Sequence, residues 1–246
     1  MLLSRALNLT HTQSPQPELE SAEPASDSLT SRLWAMNTKL AEASFNSLYV
    51  QGIGQGDLNP DDYSRYKVVD VIYVYHGLED CKVALGKALD GNDADLIYFL
   101  HARVERLKGS VSRRENALNI SDPNAVYPTK AAQAYIDLEH RVAETLPPVY
   151  YVLAAVPCLR LWAWMTSILM PQATPGNIYR EWITKNNDWS GAYQLENFVN
   201  SWFAANPSYF DEASARDVYQ GCMLGEANFF REACGQKLIN ASGNEV

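Results

Sequence analysis

One stretch, Val149–Met170 (VYYVLAAVPCLRLWAWMTSILM), constrains the fold more than any other, because an apolar run of that length must be buried in a protein core or placed in lipid. Arg160 sits in its middle, where a bilayer would make it costly, and Pro157 interrupts it. The run therefore predicts a buried helix in a water-soluble domain. Pro157 has no amide hydrogen to give and its ring crowds the preceding turn, so the helix is expected to bend just before Cys158 and leave room for a pocket. By residue preference alone, Cys158 also reads as a small buried hydrophobe.

The rest of the folded region reads as further helices. Residues 10–28 (THTQSPQPELESAEPASDS) hold too few bulky apolar groups to order themselves, so residues 1–28 are expected to form a disordered tail. Met1–Leu9 carries one Arg and too short an apolar run for a secretion signal. From Leu29 the apolar residues fall at helical spacing, with Leu29, Leu33, Met36 and Leu40 on one stripe. The Gly-rich phrase QGIGQGDLN predicts a turn ending that helix, and Asn59-Pro60-Asp61-Asp62 caps the next. The β-branched run after it would also suit a strand. Tyr63, Tyr66, Asp70, Tyr73 and Gly77, recurring every three or four residues, favour a helix. Further helices are expected over Leu96–Leu107, Ala131–Leu146, Ile178–Ile183, Leu195–Phe203 and Glu212–Leu238. No alternating strand pattern with a hairpin turn occurs. The reading is one all-α domain over 29–240, with a short flexible end over 241–246.

Charge narrows the partners. A formal net charge of -9 disfavours nucleic acid and anionic lipid, both of which need concentrated Lys and Arg, and leaves small molecules or proteins. Cys81, Cys158, Cys222 and Cys234 are far apart with no CxxC pair, which suggests reduced thiols in a cytoplasmic protein. His76, His101 and His140 lack spacing that would put two metal ligands on one helical turn, and no Gly-rich phosphate loop opens a helix, so no cofactor is expected.

Two carboxylates are out of place. Asp70 lies among valines and an isoleucine and must find a partner if it is buried. Glu226 is the one charge in MLGEANFF on the last helix. Asp70 reads equally as a structural group, and Glu226 reads first as a half-exposed helix position. Tyr66, Tyr73, Tyr135, Trp162 and Trp164 could line a pocket for a flat ring or simply fill the core.

At this point YVQGIGQGDLNPDDYSRYKVVDVIYVYH resembles the signature of the TenA family, also called thiaminase II or aminopyrimidine aminohydrolase, which has a phrase like FVQGIGDGTLP and then a helix carrying QDYLYL. The likeness continues through AYIDL at Ala134, VPCLRLW at Val156 (LPCYWLY in the family), IYREWI at Ile178 and the Glu of the last helix, covering about Leu29 to Leu238. It implies a haem-oxygenase-like multi-helical bundle without haem, assembled as a homo-oligomer (tetramer or dimer), acting on a small aminopyrimidine in thiamin salvage. Residue by residue, it implies that Cys158 is the nucleophile and Glu226 the proton-handling group. Asp70 would hold the aminopyrimidine edge, with Tyr66, Tyr73, Tyr135 and Trp162 around the ring. The substrate would be 4-amino-5-aminomethyl-2-methylpyrimidine or thiamin.

Departures leave other readings open. Asn186 or Asn187 stands where the family has a tyrosine, Ser47 and Leu48 replace the histidine before FVQG, and ERLKGSVSRRE offers no counterpart to the family's third-helix glutamate and histidine. A related enzyme with a different substrate, or a protein that binds a pyrimidine or hydrophobic ligand without turnover, fits the same motifs.

Overall fold

In a computed structural model, residues 21–246 are described; the tail expected over 1–28 falls mostly outside them. Residues 21–28 run in irregular conformation into the first helix, with Pro24 buried and the Ala22 carbonyl accepting from Asn197 Nδ2. Ten α-helices follow among the described residues: α1 Leu29–Met36, α2 Thr38–Phe45, α3 Leu48–Gln55, α4 Pro60–Asp90, α5 Ala94–Leu118, α6 Lys130–Thr145, α7 Pro148–Leu169, α8 Arg180–Asn186, α9 Trp189–Ala205 and α10 Glu212–Ala233. No strand forms among them, so the all-α reading holds; Ile239 and Glu245 share one isolated bridge near the end.

The apolar run is the centre of the bundle. Every residue from Val149 to Pro157 on α7 is buried, and α4, α6, α9 and α10 pack around that helix. It is long and apolar enough to cross a membrane by length and composition, yet it packs as a core helix. Arg160 is accommodated by an ion pair with Glu196 of α9, a fully buried carboxylate, and by the Trp34 ring, whose centroid lies 4.9 Å from its guanidinium carbon. The helix continues through Pro157 rather than ending there.

Three local expectations change. The first stripe is two helices rather than one: Asn37 is buried with φ −114, its Nδ2 donating to the Leu33 carbonyl, and the break leaves Met36 53% exposed while Leu33 and Leu40 stay buried. The phrase GIGQ is helical. Its turn comes at Gly56, whose φ of 78° suits glycine, and the Gly52 carbonyl accepts from the amides of Gly56, Asp57 and Leu58. Buried Asn177 seals this end by donating to the carbonyls of Ile53 and Gly54, which ties the α8 loop to α3. Finally, α10 stops at Ala233, because Cys234 leaves the helix and Gly235 turns left-handed (φ 66°).

Candidate active site

The capped start of α4 sets the geometry. Asn59 accepts from the Asp61 amide, Pro60 opens the helix, and the three-to-four spacing then carries Tyr66, Asp70 and Tyr73 down one inward face. Facing them are Tyr135 on α6, Cys158 and Trp162 one turn apart on α7, and Glu226 on α10. Together with Phe229, these seven sequence-predicted residues line one inner cavity of about 20 Å³, room for little more than a water molecule. The cavity widens outward into a mouth of about 270 Å³ that shares Asp70, Tyr73, Cys158 and Trp162 and adds Arg114, Lys185, Asn186 and Asp188.

The floor is built on Glu226. Its carboxyl is 4% exposed and accepts from Tyr135 OH at 3.2 Å and Trp162 Nε1 at 3.1 Å. Burial raises its pKa to about 7 against the opposing pull of its hydrogen bonds to Cys158, Trp162 and Tyr135. The Cys158 thiol is pushed well above its usual value, first by burial and then by the neighbouring Glu226 charge. At neutral pH the resting sulfur is therefore protonated, beside a carboxyl poised to exchange a proton.

Close helix approach makes this floor possible. A Cβ at Gly225 would lie 2.5 Å from the Tyr135 ring, and one at Gly221 would lie 2.7 Å from Leu138, so bare backbone on α10 lets α6 come close enough for Tyr135 to reach Glu226. Tyr73 stacks obliquely on Tyr135, with centroids 4.8 Å apart, and donates to Glu139 Oε1 at 3.0 Å. Tyr66 is held by Phe230, stacked at 5.6 Å, and by Phe229 edge-on at 5.0 Å.

The mouth has a different character. Asp70 is 5% exposed, and its Oδ2 accepts from Arg114 Nε at 2.7 Å, which supplies the partner that its burial demanded. Burial opposes the charge on Arg114, but the Asp70 charge and hydrogen bond outweigh it and raise the guanidinium pKa. Arg114 comes from the SRRE stretch of α5. Asn186 lines the mouth while its Nδ2 donates to the Trp182 carbonyl; Asn187, at the end of α8, does not line it. Sequence reasoning missed Arg114, Glu139 and Gly225, and with them the lining residues Phe229, Lys185 and Asp188. Another groove of about 300 Å³, between α5 and α9 and lined by Tyr98, Phe198 and Trp202, contains no thiol.

No protein-family model matches the chain, and no curated protein matches it in sequence. Solved structures match it in shape. A TenA homologue from P. horikoshii OT3 superposes with a TM-score of 0.69 at 20% identity, covering 84% of this chain and 98% of that one. A protein described as a TenA family transcription regulator, from Silicibacter sp. TM1040, gives 0.72 at 15% identity over 84% and 96%. A TenA-like protein from Sulfolobus solfataricus P2, described as a candidate thiaminase, gives 0.64 at 15% over 84% and 95%. At these identities the likeness establishes the fold, a TenA-like helical bundle.

Proposed function

We propose that on this TenA-like fold the chain is a cysteine-dependent hydrolase of aminopyrimidines, releasing ammonia from 4-amino-5-aminomethyl-2-methylpyrimidine or the thiazole from thiamin to give hydroxymethylpyrimidine. The observation that carries the reading is the convergence of a thiol, a proton-exchanging carboxyl and an ion-paired carboxylate on one aromatic-walled cavity.

The chemistry follows from the proton positions. Because the Cys158 thiol holds its proton, sulfur adds to the ring carbon as that proton passes to ionised Glu226, and Glu226 protonates a ring nitrogen. The electron pair placed in the ring then expels the leaving group from the exocyclic methylene. Water adds to that methylene and loses a proton. Glu226 takes the ring proton back, the carbon–sulfur bond breaks, and the departing sulfur recovers the proton. One hard substitution is split into two additions and two eliminations. Asp70, fixed by Arg114, would hold the amino edge of the ring in register, and Tyr66, Tyr73, Tyr135 and Trp162 would sandwich its faces.

The test is ammonia release from the aminomethylpyrimidine by the purified protein against its Cys158→Ala variant. Turnover in the wild type alone supports the reading. Equal turnover in both removes the nucleophile. No turnover in either, with ligand-induced thermal stabilisation in both, points to a binding protein instead.

A further inference from the structure

Asp70 and Arg114 are joined by one hydrogen bond, and each keeps a polar atom to spare. Arg114 Nε donates to Asp70 Oδ2 at 2.7 Å, and its Nη1 donates to Ser110 Oγ, one turn back on α5. Because the guanidinium is planar, these anchors on α4 and α5 fix its plane and with it Nη2. Among the described residues, Nη2 has no hydrogen-bond partner, and neither has Asp70 Oδ1. Neither atom is sealed in protein, and both residues line the mouth beside Cys158 and Trp162.

The other polar groups of the mouth are engaged elsewhere. Asp188 accepts from the amides of Ser190 and Gly191 as the cap of α9. Lys185 is paired with Glu181 at 2.7 Å, and Asn186 donates to the Trp182 carbonyl. In a guanidinium, one Nη2 hydrogen runs parallel to the Nε hydrogen, so the spare donor of Arg114 lies on the edge that meets Asp70. The pair thus offers a ligand one acceptor, Asp70 Oδ1, and beside it one donor, Arg114 Nη2.

We propose that Arg114 reads the ring itself: in a bound 4-aminopyrimidine, Asp70 Oδ1 accepts from the amino group and Arg114 Nη2 donates to the ring nitrogen next to it. This assignment deepens the proposed substrate class and rests on it. A carboxylate only accepts and a guanidinium only donates, and the amino group and its neighbouring nitrogen present the complementary donor and acceptor. Without the arginine, the second carboxylate oxygen would face the lone pair of that nitrogen, acceptor against acceptor. The two ring nitrogens flank the methyl-bearing carbon. One can therefore meet Arg114 at the mouth while the other meets Glu226 at the floor.

A clamp on Asp70 and a reader of the ring have different consequences. A clamp serves any ring that carries the amino group. A reader also favours rings that carry the neighbouring nitrogen, so Arg114 becomes a specificity determinant.

Calorimetry on the whole protein at pH 8 separates the two, with hydroxymethylpyrimidine and its benzene analogue, both ring nitrogens replaced by C–H, as probes. Both probes keep the amino group, and the wild type should prefer the pyrimidine. In Arg114→Met that preference should fall by about 10–100-fold, the range for one hydrogen bond from a charged donor. The contact with Glu226 is common to both proteins and cancels in the comparison. Arg114→Lys keeps a charge beside Asp70 without the planar fork, so its preference should fall by about 10-fold, and it decides the matter should the methionine variant not fold. A preference equal to that of the wild type overturns the proposal, because both probes then lose affinity alike, as a clamp requires. Failure of hydroxymethylpyrimidine to bind the wild type overturns it too. Neither probe needs to be turned over. A wild type that binds with the expected change in preference but releases no ammonia from the aminomethylpyrimidine sinks the hydrolysis and leaves Arg114 as the reader of the ring.

Discussion

The two ends of the cavity handle buried carboxylates in opposite ways. At the mouth Asp70 is matched by a full positive charge on Arg114, whereas at the floor Glu226 and Glu139 have tyrosine and tryptophan donors and, among the described residues, no cation in hydrogen-bond contact. A carboxylate gripped by a guanidinium serves as a fixed acceptor. A carboxyl solvated by neutral donors in a buried place is pushed toward neutrality and can move a proton near pH 7. The arrangement separates holding a ligand from acting on it, and each end can be disturbed on its own.

The largest expected effect lies at the floor. Cys158→Ala should reduce turnover by on the order of 10⁴-fold or more, read as ammonia release, with ligand-induced thermal stabilisation retained. Residual turnover close to wild type would mean that the floor is not the reacting end.

Glu226→Gln should cost about 10²–10⁴-fold in kcat, yet stabilise the protein at pH 8. The sign follows from the raised pKa: a Glu226 that titrates near 7 when folded and near 4.5 when unfolded contributes stability that is complete below about pH 4.5 and lost as pH rises through 7. Gln keeps the neutral form at every pH. Urea unfolding should therefore show a variant advantage that grows between pH 4.5 and 7 to at most about 3 kcal/mol, then levels off. An advantage that does not change with pH would break the contrast between the two ends.

Gly225→Ala presses a methyl group against the Tyr135 ring and should cost about 1–3 kcal/mol, measured by denaturant midpoint. It should also weaken turnover, because Tyr135 and Glu226 are displaced together. At the mouth, Arg114→Met should destabilise the fold by about 1–2 kcal/mol at neutral pH, a figure discounted because the Arg114 side chain is 29% exposed. Its main kinetic signature should be a raised KM. The two ends thus respond to charge removal with opposite signs, and equal signs would show that the distinction is wrong.

Much of this site was legible in the sequence, for identifiable reasons. Asp70 and Glu226 stood out as charges among apolar neighbours, Cys158 as a thiol beside a proline, and Tyr66 and Tyr73 as members of a spaced line behind a strong cap. Arg114 and Glu139 were hidden by charged neighbours, since SRRE and DLEHR read as solvated faces. The signal was in the spacing. Extending the stripe Leu96, Leu100, Val104, Leu107 by Val111 brings the next inward position to Arg114, and Ala132, Tyr135 and Val142 bracket Glu139 on α6. The turn predicted over QGIGQGDLN is confined to its second half, because the helix runs on through Gln55 and the chain reverses at Gly56, where φ turns positive. Gly225 gave no warning at all: its role depends on a ring from a distant helix.

The bare seam at Gly221 and Gly225 also bears on how the molecule opens. There the Tyr135 ring and the Leu138 side chain of α6 pack directly on the α10 backbone at Gly225 and Gly221, so the two helices separate together or not at all. The amides of α6 and α10 facing that seam should accordingly exchange hydrogen with solvent only on near-global unfolding, among the slowest in the protein, while those around α8 at the mouth exchange sooner.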